Sequence, residues 1–255
     1  MADGNKIDPI HQFVISPLIE VNIAGYDLSF TNSSLWMVIS AVVAITFLTV
    51  SMQKKALVPG RGQMISEMIY QFVASMIREN IGNKGREYFP FIFTVFMFVL
   101  LGNMLGMIPH SFTYTSHIIV TGVMALVIFL MVILIGIARH GTHFFSLFVP
   151  PGVPAVMMPL IVPLEMISFL VRPVTLSVRL FANMMAGHIV LKVFAGFSIA
   201  LVSLNLGGAE YIASIVPAAF NVLLIALEFL VAFLQAYVFT LLTCIYLKDT
   251  IEIHH

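Results

Sequence analysis

Charge is scarce in this 255-residue chain: Asp, Glu, Lys and Arg make up only 9% of it, against about 25% in an ordinary soluble domain. The twelve basic and twelve acidic residues cancel, so nothing in the net charge would recruit nucleic acid or another polyanion. Cysteine occurs once, as Cys244, which excludes an intrachain disulfide and a cysteine-ligated metal centre. His140-Gly-Thr-His143 and His254-His255 are too few and too scattered to hold a metal, and no cofactor site is expected. Walker loops, Gly-x-Ser-x-Gly and His-Glu-x-x-His are all missing, which argues against an enzyme. No internal repeat stands out, and the polar N-terminus does not read as a cleavable signal.

What fills the chain is apolar. Hydrophobic residues are 60% of it and the mean hydropathy is +1.04, which predicts an all-α polytopic membrane protein. About 20 apolar residues cross a ~30 Å hydrocarbon core. The first such run is 34–52, with Trp36 near its start as an interfacial anchor. In 60–80, Met64, Ile65, Met68, Ile69, Phe72, Val73, Met76 and Ile77 recur at helical spacing among polar residues, the pattern of a helix lying on the membrane surface. Residues 89–138 hold two apolar runs around Pro109-His110-Ser111 and read as a helical hairpin. Thr94 and Asn103 are expected to bond between helices, and Gly102-Asn-Met-Leu-Gly106 to let a helix approach closely. Two long runs close the chain, at 160–203 and 209–247, separated by Asn205-Leu206-Gly207-Gly208. Each is too long to stand upright in a bilayer. The expected plan is therefore one membrane domain over 1–255: an N-terminal tail at 1–33, five crossings and a surface helix.

Seven charges lie in the 160 residues from Tyr88 to Leu247: Arg139, Glu165, Arg172, Arg179, Lys192, Glu210 and Glu228. A charge in the bilayer costs at least ~2.5–3.5 kcal/mol, so those that persist tend to have a function. At 100° per residue, Glu165, Arg172 and Arg179 form a nearly straight stripe, with Asn183 just beside it. His188 and Lys192 share the opposite face, and Glu228 and Gln235 form one stripe on the last helix. Arg172 and Glu165 are ~10.5 Å apart along the helix, too far for a direct pair without bending. Lys192 is expected to snorkel towards the interface. Arg139 and Glu210 are expected to mark the two membrane boundaries. If 53–87 is cytoplasmic, five crossings put eight basic residues on that side (Lys54, Lys55, Arg61, Arg78, Lys84, Arg86, Arg139 and Lys248) and only Lys6 in the opposite tail. The positive-inside rule then sets the N-terminus outside and the C-terminus inside. Asn32-Ser33-Ser34 fits a glycosylation pattern that is common by chance.

The segment Pro163-Leu-Glu-Met-Ile-Ser-Phe-Leu-Val-Arg-Pro-Val-Thr-Leu-Ser-Val-Arg-Leu-Phe-Ala-Asn-Met-Met-Ala-Gly-His188 resembles the signature of subunit a of the F-type ATP synthases, and Glu228 through Gln235 to Tyr246-Leu247 resembles that family's last helix. The likeness covers essentially the whole chain. It implies two offset proton half-channels set against a rotating ring of c subunits, with b-type peripheral stalk subunits as further partners. Arg179 matches the family's essential arginine, and Asn183 and Gln235 match its ring-facing neighbours. His188 and Glu228 match the pair lining the outer half-channel, and Glu165 an acid near the inner one. Arg172 and Lys192 are supporting residues. With the His on the long helix and the acid on the last, the chain is similar to the mitochondrial and related bacterial branch. That implies the bacterial inner membrane or, alternatively, the mitochondrial inner membrane. H⁺ is the expected coupling ion.

Elementary chemistry favours the same residues. Arginine keeps its proton at any working pH, so it can attract passing carboxylates while blocking proton hopping. Histidine and glutamate, with reference pKa values of ~6.5 and ~4.3, suit a relay once each perturbs the other. The main rival is a secondary transporter with a midplane Arg/Glu site. A structural role, with buried charges merely holding helices together, is a second.

Overall fold

The computed structural model describes residues 11–23, 26–27, 29–53, 58–108, 111–149, 154, 157–203 and 208–251. Lys6, Lys54, Lys55, His110, the turn at 205–207 and His254-His255 lie outside these, as do the side chains of His143 and Glu210. The described residues form six α-helices: α1 (Asn32–Ser51), α2 (Arg61–Asn80), α3 (Phe89–Gly106), α4 (Ile118–His140), α5 (Met158–Val202) and α6 (Ala209–Ile251). All but α2 belong to the five segments long and apolar enough to cross a membrane. The all-α polytopic reading, with five spanning helices and one amphipathic helix, is borne out.

Local chemistry sets several boundaries. Thr31 caps α1 by accepting a hydrogen bond from the Ser34 N–H at 3.3 Å. Pro90 occupies the first turn of α3, where its missing N–H costs nothing. Gly141, with φ of 57°, ends α4 in a conformation other residues resist. Pro163 and Pro173 in α5 and Pro217 in α6 lie within continuous helices.

The N-terminal segment holds structure that periodicity did not announce. Strands β1 (Pro17–Ile19), β2 (Asn22–Ile23), β3 (Tyr26–Asp27) and β4 (Phe30–Thr31) form two nested antiparallel pairs, β2 with β3 inside β1 with β4. Asn32 ties this ribbon to α1. Its Oδ1 accepts from the Ser16 N–H at 3.3 Å and its Nδ2 donates to the Val14 carbonyl at 3.1 Å.

α5 and α6 run against each other; α3 packs on α6, α4 on α5, and α1 along α3. The core between them is built from Ile92, Phe96 and Val99 of α3, Leu180 and Met184 of α5, and Ala236, Phe239 and Leu247 of α6. Val73, Met76 and Ile77 seat α2 on this core. The outer faces stay apolar: Val38, Val42 and Ile45 on α1 and Ile119, Val123, Leu126 and Leu130 on α4 are exposed. Such surfaces need lipid or protein cover. At 45 and 43 residues, α5 and α6 are each ~65–68 Å long, more than twice the hydrocarbon thickness, so both must lie at a steep angle.

Two expectations need correction. Thr94 does not bond between helices; it is exposed, and its hydroxyl donates to the Pro90 carbonyl of its own helix at 2.7 Å. The close approach at Gly102 and Gly106 is real, but no α-helix makes it. Tyr114 lies over Gly102 and Thr113 over Gly106, both from the turn between α3 and α4. Asn103 does bridge helices, donating to the Ala232 carbonyl of α6 at 3.1 Å. So do Thr121 and Ser177, whose hydroxyls meet at 3.1 Å.

Candidate functional site: a histidine–glutamate pair behind a cavity

The connectivity brings the start of α1, the end of α3, the second half of α5 and the first half of α6 to one end of the bundle. A cavity of about 950 Å³ opens among them, lined by Gln12, Trp36, Thr113, His188, Lys192 and Asn221, with others. His188 and Lys192, four residues apart on α5, thus share this lining. Lys192 belongs to the cavity wall.

His188 lines the cavity and also approaches Glu228 of α6. Its Nε2 is 3.0 Å from the Thr113 hydroxyl, and its Nδ1 is 3.6 Å from Oε1 of Glu228. Glu228 is only 5% exposed and does not line the cavity. Neither of its oxygens has a hydrogen-bond partner among the described residues, which is costly for a buried carboxyl and marks it as poised for one. Gly187 makes the approach possible. A Cβ there would lie 2.7 Å from Oε1 and 3.0 Å from Cδ of Glu228.

The mouth of the cavity carries an aromatic cluster. Phe13 sets its ring edge-on to both His188 and His117, at 6.3 and 6.4 Å, and Phe112 stacks on His117 at 5.1 Å. Burial holds the His117 pKa below the usual histidine range. Burial also raises the Tyr114 phenol, a nearby Ser40 hydrogen bond opposing it in part. Tyr114 donates to the Phe98 carbonyl at 2.9 Å.

Two ion pairs hold the other end of the bundle. Arg139 meets Glu87 at 2.6 Å, and Arg172 meets Asp249 of α6 at 2.7 Å. Arg172 also lies over the Phe169 and Tyr246 rings, at 5.6 and 5.1 Å. Its partner is therefore across the helix pair and is not Glu165. Glu165 lies half-buried near the start of α5. Arg179 and Asn183 are exposed on one flank of α5, and Arg179 makes no ion pair among the described residues. Gln235 of α6 is 6% exposed. Thr113, Gly187 and Asp249 escaped the sequence reading. A hydroxyl, a glycine and a helix-end acid carry no signal until their partners on other elements are known.

These features define a polytopic α-helical membrane protein in which a titratable pair is set behind a cavity and a lone arginine sits on an outer flank. The model of the family described as ATP synthase A chain matches residues 34–248. The ATP synthase subunit a of Mesorhizobium japonicum is 56% identical over 252 residues, covering 99% of both chains. That of Parvibaculum lavamentivorans is 52% identical over 99% of this chain and 96% of its own. The Rhodospirillum rubrum protein is 52% identical over 96% of this chain and 99% of its own. The chain belongs to the ATP synthase A chain family; it is a multi-pass membrane subunit of that complex and not itself a catalytic one.

Proposed function

We propose that the chain conducts protons as the stator of an F-type ATP synthase, through two offset half-channels. Protons enter the cavity, pass from His188 to Glu228, and are handed to a carboxylate of a c-subunit ring. Arg179 holds the ionised carboxylate as it passes and prevents direct leakage between the half-channels. Protons leave near Glu165. Asn183 flanks Arg179 at the ring, Gln235 supports the same stretch from the α6 side, and Arg172 anchors α5 to α6 through Asp249. b-type stalk subunits hold the assembly still.

The observation that carries this reading is the setting of Arg179. It is exposed, and so are Ala182 and Ala186, about one and two turns on along the same face of α5. A cation on an apolar, membrane-facing flank is costly unless a partner supplies negative charge, and a ring of carboxylates does so. At 1.5 Å per residue, Arg179 is ~13 Å from His188 and ~21 Å from Glu165, which suits a barrier between two offset paths. Each proton crossing 100 mV releases about 2.3 kcal/mol, so a rotor must gather several per synthesis step.

The excess of basic residues at the Glu87–Arg139 end favours a cytoplasmic location there, with the cavity opening outside. All three relatives named above are bacterial, which favours the bacterial inner membrane. Replacement of Arg179 by Ala should abolish proton-driven ATP synthesis in an assembled complex. Normal synthesis by that variant refutes the proposal.

A further inference from the structure

We propose that Thr113 is a positioning residue that fixes the tautomer of His188; the idea rests on the relay read above. The threonine hydroxyl has one proton and two neighbours. One is the Gly106 carbonyl, 3.1 Å away, and the other is His188 Nε2 at 3.0 Å. A carbonyl can only accept, so the hydroxyl proton goes to Gly106. The lone pair left on Oγ1 then accepts from the imidazole, which places the proton of neutral His188 on Nε2. Nδ1 is left as a bare lone pair, and it is the nitrogen 3.6 Å from Glu228. Nδ1 is then the nitrogen that takes up a proton arriving from the cavity and hands it to the Glu228 carboxylate, and in pumping a proton on the carboxyl returns through the same lone pair. The opposite tautomer would turn an N–H towards the carboxyl and could not receive a proton from it.

The hydroxyl is held firmly enough to impose this choice. Thr113 is 6% exposed. Its carbonyl accepts from the Ser116 hydroxyl at 2.6 Å and from the Ser116 N–H at 3.1 Å, which fixes the turn. The absence of a side chain at Gly106 lets the threonine sit directly against α3. The other charged groups around His188 are Glu228 from α6 and Lys192, one turn along α5. His117 is a further titratable ring, beyond Phe13. None of these is within hydrogen-bond distance of Nε2, so Thr113 alone sets its state among the described residues.

The test uses the assembled ATP synthase in membrane vesicles, with Thr113→Val, which keeps the shape, and Thr113→Ser, which keeps the hydroxyl. Thr113→Val should slow ATP-driven proton pumping about fivefold, the population ratio that one neutral hydrogen bond maintains, and should change the pH profile of the rate. Thr113→Ser should stay within about twofold of the parent. In ¹⁵N-histidine-labelled complex at a pH where His188 is neutral, the parent should show the proton on Nε2, and Thr113→Val a mixture of tautomers. A parent signal with the proton on Nδ1 overturns the proposal even if Thr113→Val fails to assemble. So does a Thr113→Ser variant as slow as Thr113→Val. Glu228→Gln, run in parallel, separates the two levels. If it pumps normally, the relay itself is wrong; if it is inactive while Thr113→Val is normal, only the role of Thr113 falls.

Discussion

Replacing Gly187 by Ala should uncouple the histidine–glutamate pair without unfolding the bundle. The added Cβ would stand 2.7 Å from Oε1, 3.0 Å from Cδ and 3.3 Å from Cγ of Glu228. Ordinary contact needs ~3.4 Å or more, so the carboxyl must move by roughly 0.7 Å. It is the far end of a flexible side chain, and a displaced rotamer costs only about 0.5–1.5 kcal/mol; α5 and α6 can therefore stay packed. Proton transfer is less forgiving. The pair already stands at 3.6 Å, beyond the ~2.6–3.2 Å over which a proton passes, so the proposed relay needs it to close in the working complex. A misplacement of ~1 Å can cost ~100-fold in a positioned reaction, so on the same scale a shift of this size should lower proton-driven ATP synthesis by about 25-fold. The assay is synthesis in vesicles under an imposed pH and voltage gradient, normalised to assembled complex and uncoupled ATP hydrolysis. Glu228→Asp, one methylene shorter, should restore part of the rate in the Gly187→Ala background. Full synthesis by the single variant at normal assembly refutes the steric reasoning. Loss of assembled complex instead would make Gly187 a packing residue.

Three other outcomes are expected. Glu228→Gln should sharply slow proton transfer through the cavity side, read as loss of ATP-driven acidification in inverted vesicles. Arg172→Ala and Asp249→Ala should be non-additive in thermal stability. This half-exposed pair at 2.7 Å should give a coupling of about 1 kcal/mol in a double-mutant cycle, and strict additivity would count against the pair. His117, its pKa lowered by burial, binds fewer protons folded than unfolded between its lowered pKa and the ordinary ~6.5. Stability should therefore rise with pH through that window and lose this contribution as pH falls through it. His117→Gln should flatten that part of a thermal-inactivation profile, and an unchanged slope would show that His117 does not produce it.

Much of the architecture could be read from the order of residues because membrane helices are specified locally. Run length, cap residues and the amphipathic pattern of α2 need no knowledge of neighbours. The N-terminal strands were missed because they are two or three residues long and show no period. Thr94 was misjudged for a related reason. A threonine on an apolar helix can bond to its own carbonyl four residues back or to another helix, and only the packing chooses. Asn103 has no comparably easy local acceptor and crosses to Ala232. Thr113 was invisible because its meaning depends on α3 ending at Gly106 and α5 presenting His188 to the same spot.

The arginines show where sequence reasoning stops and geometry takes over. Arg172 and Arg179 are seven residues apart on one helix, with the same side chain and nearly the same direction. Spacing alone could not divide structural from functional charge between them. What separates them is α6. Its last turns bring Asp249 to 2.7 Å from Arg172 and lay the Tyr246 ring beneath the guanidinium. A cation already held by a carboxylate in its own chain has little to offer a moving one. Two turns on, Arg179 has no such partner among the described residues and faces outward from an apolar flank. Arg172→Lys should then cost stability and leave coupling close to normal. Arg179→Lys should remove coupling at unchanged stability, because a lysine desolvated against the ring can shed its proton where an arginine cannot. The assay is ATP synthesis set against thermal stability for each variant, and an Arg179→Lys complex that still makes ATP at the parent rate would overturn the division.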